Sequence, residues 1–276
     1  MCDFSQFIPD VDPYFIPNAG TYKLIEAVIA DKVFFPVYIY GLSGIGKTMN
    51  VEQACAANKR PMFRAQITRD TNNEDLIGAY SLEQGNTVWK DGPVLKAYRS
   101  GGVLLLDEID LNPTLMILQG VLENKPLFVT QTGELVKPKQ GFTVFATGNT
   151  KGDGGDAKYV GTSVLNDAFL ERFVTIIEHK LPTIAVEKRI IDRFCKVEGI
   201  ELDPELYDNF LRWIELVRKS YTDENIESYI SSRRIQYILR VYKMTGDFKN
   251  SLKIVLARYP QITSDALFKT WSAING

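Results

Sequence analysis

The apolar run Phe35-Pro36-Val37-Tyr38-Ile39-Tyr40 leads directly into Gly41-Leu42-Ser43-Gly44-Ile45-Gly46-Lys47-Thr48, and Met49 to Ala57 then reads as a helix. Strand, glycine-rich loop and helix with the spacing G-x-x-x-x-G-K-T leave little choice of fold. The glycines let the backbone curl so that successive N–H groups point inward at a polyphosphate. The new helix adds the positive end of its dipole, Lys47 brings a mobile cation to the outer phosphates, and the Thr48 hydroxyl can ligate Mg²⁺. Gly41, Ser43, Gly44, Ile45, Gly46, Lys47, Thr48 and Met49 are therefore the expected binding set for a nucleoside triphosphate. A plain glycine-rich turn would leave the flanking strand and helix as coincidence.

A chain of 276 residues fits one large or two modest domains. Its formal net charge of −2 does not indicate a broad electrostatic grip on nucleic acid or an anionic membrane. The single histidine, His179, argues against a histidine-based metal centre or Ser-His catalysis. Cys2, Cys55 and Cys195 lie far apart and read as reduced thiols. No run reaches the ~18 apolar residues of a membrane span, so a soluble, cytoplasmic protein is expected.

Along the chain, a Pro-rich extended start, Ile8 to Pro17, precedes an amphipathic helix from about Thr21 to Ala30. Its aromatics can serve either packing or a nucleotide base. Met62 to Ile67 reads as a second strand, and residues 68–100 as an insertion with loops at Thr68-Arg69-Asp70, Asp75-Leu76-Ile77-Gly78 and Asp91-Gly92-Pro93. A helix from Val94 to Tyr98 ends it. Val103-Leu104-Leu105-Leu106 is a continuous apolar run, as a central strand covered on both faces requires. Asn112-Pro113 looks like an N-cap with proline in the first turn, starting a helix to about Leu122. Phe128 to Val136 forms a hairpin around Thr132-Gly133. Phe142 to Thr147 is another strand, ending at Gly148-Asn149, and Gly152-Asp153-Gly154-Gly155-Asp156 is a loop. A helix from Val164 to Arg172 and a strand Val174 to Ile177 complete an α/β unit. From Leu181-Pro182-Thr183 onward only helical periodicity remains. The expectation is an α/β parallel-sheet domain over residues 1–181 and a smaller all-α domain over 182–276.

Asp107 and Glu108 end a buried strand, where open α/β sheets place their ligands. Asp107 is positioned to hold Mg²⁺, directly or through its waters, while Glu108 can orient and deprotonate an attacking water. An acidic pair at a strand end is common in itself. The phosphate loop about 60 residues upstream is what favours the functional reading. Asn149, at the end of the next strand, offers a carboxamide to that water or to the γ-phosphate. Arg172 precedes the last strand, and Arg233 or Arg234 starts a helix after Ser231-Ser232. Taken alone, these arginines would be surface residues.

Together, the phosphate loop, Leu105-Leu106-Asp107-Glu108, Ala146-Thr147-Gly148-Asn149, an arginine before the last strand and a helical lid resemble the AAA+ ATPases. Gly92-Pro93, the hairpin 128–136 and Glu171-Arg172-Phe173 look like the branch of MoxR-type ATPases and chelatase motors. Within it, Ile8-Pro9-Asp10-Val11-Asp12-Pro13, Val51-Glu52-Gln53-Ala54, Tyr159-x-Gly161-Thr162-x-x-x-Asn166-x-Ala168-x-x-x-Arg172 and Ser231-Ser232-Arg233 are similar to the CobS-type ATPase subunits of aerobic cobaltochelatase. The resemblance implies a P-loop AAA+ parallel-sheet core with a β-hairpin insertion and an all-α lid. It implies ATP and Mg²⁺, Glu108 as water-activating base, Asn149 as first sensor, Arg172 as an arginine finger acting in trans and Arg233 as second sensor. It also implies a homo-oligomeric ring, usually a hexamer, that drives a protein partner such as a chelatase or adaptor subunit. A MoxR-like chaperone acting on an unrelated protein is the alternative, and a nucleic-acid motor is disfavoured by the near-neutral charge. Two positions depart from the family's usual pattern. Ser231-Ser232-Arg233-Arg234 stands where Ser-Pro-Arg is usual, which leaves open which arginine points inward, and Glu171-Arg172 stands where Asp-Arg is usual.

Overall fold

A computed structural model describes residues 3–154 and 162–275. Cys2, Gly155 and Asp156 of the glycine-rich loop, and Tyr159 and Gly161 of the family pattern lie outside the described residues. The chain divides into two compact units. One takes the chain up to Asp12 with Pro17–Leu42 and Lys47–Lys180; the other takes Pro13–Ile16, Ser43–Gly46 and the chain from Leu181 onward.

In the first unit, α1 (Ala19–Asp31), β1 (Val37–Tyr40), α2 (Lys47–Ala57) and β2 (Met62–Gln66) are followed by a short α3 (Asn73–Ile77). Next come β3 (Gly78–Glu83), β4 (Asn86–Asp91), α4 (Pro93–Ser100), β5 (Val103–Asp107) and α5 (Leu118–Leu122). The small strands β6 (Leu127–Val129) and β7 (Glu134–Val136) lead to β8 (Thr143–Gly148), α6 (Asp167–Leu170) and β9 (Thr175–Glu178). Five strands form one parallel sheet in the order β2-β5-β8-β1-β9. Chain order reverses beside β1, so the carboxyl ends of β1, β5 and β8 face the crevice where open α/β sheets bind ligands.

Both faces of this sheet are covered, which is why its inner strands are apolar throughout rather than alternating. Tyr38, Leu104, Leu106, Val144 and Ala146 pack with Leu95, Tyr98, Leu118 and Leu122 from α4 and α5. The opposite positions, Val37, Ile39, Val103, Leu105 and Phe145, meet Ile25 and Ile29 of α1 and Val51, Ala54 and Cys55 of α2.

Several sequence expectations need correction. The insertion 68–100 is not loop alone, because β3 and β4 form a six-pair antiparallel hairpin from Gly78↔Asp91 to Glu83↔Asn86. Much of that hairpin is exposed, so it lacks the apolar alternation that marks a core strand. Asn112 does not cap a long helix. Its Oδ1 accepts from the Thr114 N–H and hydroxyl at 3.1 and 2.7 Å, and its Nδ2 donates to the carbonyls of Thr68, Arg69 and Thr71. Spending the side chain on tying down a neighbouring loop leaves residues 113–117 in turns, and helix begins only at Leu118. The helix expected from Val164 to Arg172 shrinks to α6: Val164 is drawn into an isolated bridge with Asp153, and Asn166 caps the helix instead. Aromatics near the start of the chain pack. Phe4 and Phe7 lie 5.8 and 4.8 Å from Phe63, and in the second unit Tyr14 lies 5.4 Å from Phe194.

The second unit is helical from Ile184 onward among the described residues. Its helices are α7 (Ile184–Glu198), α8 (Pro204–Thr222), α9 (Ser232–Thr245), α10 (Phe248–Leu256) and α11 (Gln261–Asn275). Thr183, Asp203, Ser231 and Asp247 cap the first four with side-chain oxygens, and Gly199 and Gly246 close α7 and α9 in left-handed conformation. Phe194, Phe210, Trp213, Leu239, Leu252 and Trp271 fill its core.

One buried cation holds the first unit together without a carboxylate. Arg60 donates to the carbonyls of Ile29 at 2.7 Å, Gly101 at 2.8 Å and Gly141 at 2.5 Å, joining α1 to the turns before β5 and β8. Burial pulls its pKa down, so only these carbonyls make the charge tolerable there. Arg60→Ala should strip three acceptors at once and destabilise the protein by about 3 kcal/mol, counted at ~1 kcal/mol per bond. A urea melt with an unshifted midpoint would show that the carbonyls find other donors.

Candidate nucleotide site

Local rules place the first pieces. β1 delivers the chain to Gly41, whose φ of 148° and closeness to the His179 carbonyl leave no room for a Cβ. The loop through Gly46 is followed at once by α2, which begins at Lys47, two residues before the sequence suggested. Lys47 and Thr48 therefore stand in the first turn, with Met49 next and half-buried, and Ile45 is buried in the loop. Lys47 Nζ donates to the Gly41 carbonyl at 2.8 Å, the Leu42 carbonyl at 2.9 Å and Asn149 Oδ1 at 3.1 Å. The mobile cation from the start of α2 and the carboxamide that follows β8 thus meet.

The second meeting is at Asp107, the last residue of β5. The Thr48 hydroxyl donates to its Oδ1 at 2.9 Å, and the Thr147 hydroxyl donates to the same oxygen. Arg64 Nη2 binds Oδ2 and also reaches Gln66 Oε1 at 2.9 Å. These partners explain how a carboxylate can be held 5% exposed at a sheet end. Glu108 follows with φ 62° and ψ 43°, a left-handed backbone uncommon for a residue with a side chain. Its N–H donates to Thr147 Oγ1 at 3.2 Å, and its Oε2 accepts from Gln66 Nε2 at 2.8 Å. Asp110, fully buried, uses Oδ2 to accept from the N–H groups of Asn149 and Thr150 at 2.7 and 3.0 Å. It fixes the backbone that aims Asn149.

Of the residues singled out from the sequence, Lys47, Thr48, Asp107, Glu108 and Asn149 come together in the first unit. Arg172 is placed apart from them in bonding: its Nε donates to Glu123 Oε1 at 2.7 Å and its Nη1 to the Ala168 carbonyl. Ser43, Gly44 and Arg233 belong to the second unit, where the Arg233 N–H donates to the Gly44 carbonyl at 3.4 Å and the Tyr229 hydroxyl to the Ser43 carbonyl at 2.8 Å. Arg233 is exposed, whereas Arg234 is half-buried with its guanidinium 5.3 Å from the Tyr237 ring, so Arg233 is the freer of the two. Thr147, Arg64, Gln66 and Asp110 were not anticipated. Thr147 lay inside the quoted Ala146-Thr147-Gly148-Asn149, but only the sheet register Gln66↔Asp107 exposes the other two partners on β2.

The donor set can be tested for Mg²⁺. A hydroxyl and a carboxylate already joined by a hydrogen bond are hard oxygen ligands of the right kind. No group of three or more His, Cys, Asp or Glu among the described residues could hold a metal alone. That suits an ion that takes one or two protein oxygens and completes its shell from phosphates and water.

Burial first, then the charges of Asp107 and Asp110, push the Glu108 carboxyl above its ordinary value of 4.5, while Lys47 and Arg64 pull the other way. A raised carboxylate favours the folded state below its unfolded pKa, and that contribution is lost as pH rises through the folded value. Glu108→Gln removes the ionisation. The variant should therefore melt above the native protein at pH 7–8, and the gap should close as pH falls toward about 4.5. Parallel melting curves over that range check it, and a gap independent of pH would contradict the assigned shift.

The family described as AAA domain (dynein-related subfamily) matches residues 36–173, half of the chain. The chain is 28% identical over 260 residues to Protein NorQ of Paracoccus denitrificans, covering 93% of this chain and 90% of that protein. It is 36% identical over 206 residues to an uncharacterized protein of Staphylococcus epidermidis, covering 72% and 74%. With aerobic cobaltochelatase subunit CobS of Sinorhizobium sp it shares 28% over 239 residues, covering 83% and 71%.

Proposed function

The chain belongs to the AAA domain family, dynein-related subfamily, and on that premise we propose that it is a MoxR-like, Mg²⁺-dependent ATP hydrolase whose turnover moves a partner protein. One observation carries the reading: the phosphate-loop helix and the ends of β5 and β8 gather two bonded sets, Lys47 with Asn149, and Thr48 with Asp107 and, through Thr147, Glu108. In it Lys47 takes the outer phosphates, and the Thr48 hydroxyl and Asp107 carboxylate supply the oxygens for Mg²⁺. The ion, when bound, offsets the negative charge that shifts among the phosphate oxygens. Glu108 accepts the proton of the attacking water, Gln66 and Thr147 hold Glu108 in place, and Asn149 orients the water or the γ-phosphate.

The role separation gives the experiment. Lys47→Ala should abolish or strongly weaken ATP binding in a titration, whereas Glu108→Gln should bind ATP and lose ~10²–10⁴ in turnover. Native affinity in the lysine variant or native turnover in the glutamine variant sinks the assignment.

The ring, a hexamer by the family pattern, and the roles of Arg172 and Arg233 belong to the same proposal. For the partner, the match to CobS supports a chelatase-type complex; with one histidine in the chain, cobalt and corrinoid chemistry would fall to other subunits. A chaperone acting on an unrelated protein is the second reading: the chain is as similar to Protein NorQ as to CobS, and over more of both chains, so the CobS match alone does not select the partner. Capture from the native host, with identification of what is retained, separates these two.

A finger acting in trans makes hydrolysis depend on assembly. Activity per subunit should rise steeply with concentration, and Arg172→Ala should bind ATP yet lose on the order of 10³-fold or more in rate. Where subunit exchange is demonstrated, mixing Arg172→Ala with Glu108→Gln should restore activity, since some junctions then combine the intact residue of each. Mixed rings that stay inactive, with a dilute monomer at full rate, would exclude the trans assignment.

A further inference from the structure

We propose that Arg64 is the resident counter-cation of Asp107 and makes the site accept a divalent metal only together with nucleotide. The inference rests on the nucleotide reading above and concerns how that site chooses its metal. Arg64 projects from the edge strand β2, and its Nη2 pairs with Asp107 Oδ2, while its Nη1 lies 3.6 Å from Glu52 Oε1. The two hydroxyls of Thr48 and Thr147 occupy the other oxygen of Asp107. Each oxygen of the carboxylate thus has a donor, and its charge is matched by a guanidinium that cannot deprotonate.

Competition follows from simple electrostatics. A divalent ion approaching Asp107 meets a fixed positive charge on the same carboxyl group and must displace it or sit at a distance. The carboxylate side chain is 7% exposed, so screening by water is weak there, whereas that of Arg64 is 44% exposed and can swing into solvent when displaced. A metal that brings a triphosphate carries enough negative charge to offset the guanidinium; a bare ion does not. Arg64 is a specificity-determining residue in this sense, and it need not touch the reacting atoms. Its contact with Gln66, which in turn holds Glu108, ties metal arrival to the water-activating residue through two hydrogen bonds.

The test uses Mn²⁺ alone on the nucleotide-free full chain, read by electron paramagnetic resonance of the free ion. Native protein should bind Mn²⁺ weakly, Arg64→Met at least about tenfold more tightly, and Arg64→Lys, which keeps the charge, close to native. Adding Asp107→Asn to the methionine variant should remove the gain. Arg64 itself is exposed at a sheet edge, Arg64→Lys keeps a cation beside Asp107, and thermal melts establish that each variant is folded before titration. If Arg64→Met binds Mn²⁺ no more tightly than native protein, or binds it equally well without Asp107, the proposal is overturned. Failure of native protein to bind ATP with Mg²⁺ would instead overturn the nucleotide reading, so the two failures are distinct.

Discussion

Asp107 closes a strand buried on both faces, and a carboxylate in that position is tolerable only if donors surround it. Those donors come from three different parts of the sheet unit: Thr48 from the start of α2, Thr147 from β8 and Arg64 from β2. Satisfying one charge therefore fixes the relative placement of three elements that carry the phosphate loop, the neighbouring strand end and the sheet edge. Asp110 repeats the device one turn later, using a buried carboxylate to gather the N–H groups of Asn149 and Thr150. The Tyr38 hydroxyl, donating to the Thr150 carbonyl at 2.5 Å, stands so close to Gly148 that no side chain fits at that position. Buried charge here sets geometry rather than adding stability.

The helical unit uses the same principle. Glu187, fully buried in α7, accepts from Arg218 Nη2 at 2.7 Å and from the Ser232 hydroxyl at 2.8 Å. Arg218 also donates to the Pro182 carbonyl at 3.0 Å and toward the Ile230 carbonyl at 3.4 Å. One ion pair thereby joins the start of the unit, α7, α8 and the first turn of α9, the turn that carries Arg233. Substituting a single partner would leave a buried charge exposed to hydrocarbon, a far larger penalty than the pair's net worth.

Much of this was legible in the sequence wherever short-range chemistry decides. The phosphate loop declares itself because glycine, lysine and threonine are required at fixed spacing. β5 and β8 declare themselves because a buried parallel strand must be apolar along its length. The helix caps at Asp203 and Ser231 follow the same local logic, a short polar side chain bonding the first free N–H groups. What escaped was set by partners far away in the chain. Arg64 and Gln66 sit about 40 residues from the acids they bind, and only the pairing of β2 with β5 makes them neighbours. Asn112 followed by proline obeys every local rule for a helix start, yet its side chain is more useful holding the loop at 68–71, and the helix begins six residues later. The exposed β3–β4 hairpin lacked a core face, so alternation was weak and its strands went unread.

Arg172 shows how little a long-range role need disturb the single chain. Its Nε contact with Glu123 joins side chains that are 25% and 41% exposed, and such surface pairs contribute about 0–1 kcal/mol. If Arg172 serves a neighbouring subunit's phosphate as proposed, breaking that contact would cost correspondingly little, and a guanidinium facing phosphate oxygens would gain stronger, charge-assisted bonds. The Glu123 contact and the Nη1 bond to the Ala168 carbonyl together tie the arginine beside the short α6. Asn166, capping that turn through a bond to the Ala168 N–H at 2.8 Å, keeps the turn itself in place. A weak surface pair beside a well-capped turn is a fitting store for a cation proposed to work only after assembly, because it is cheap to release.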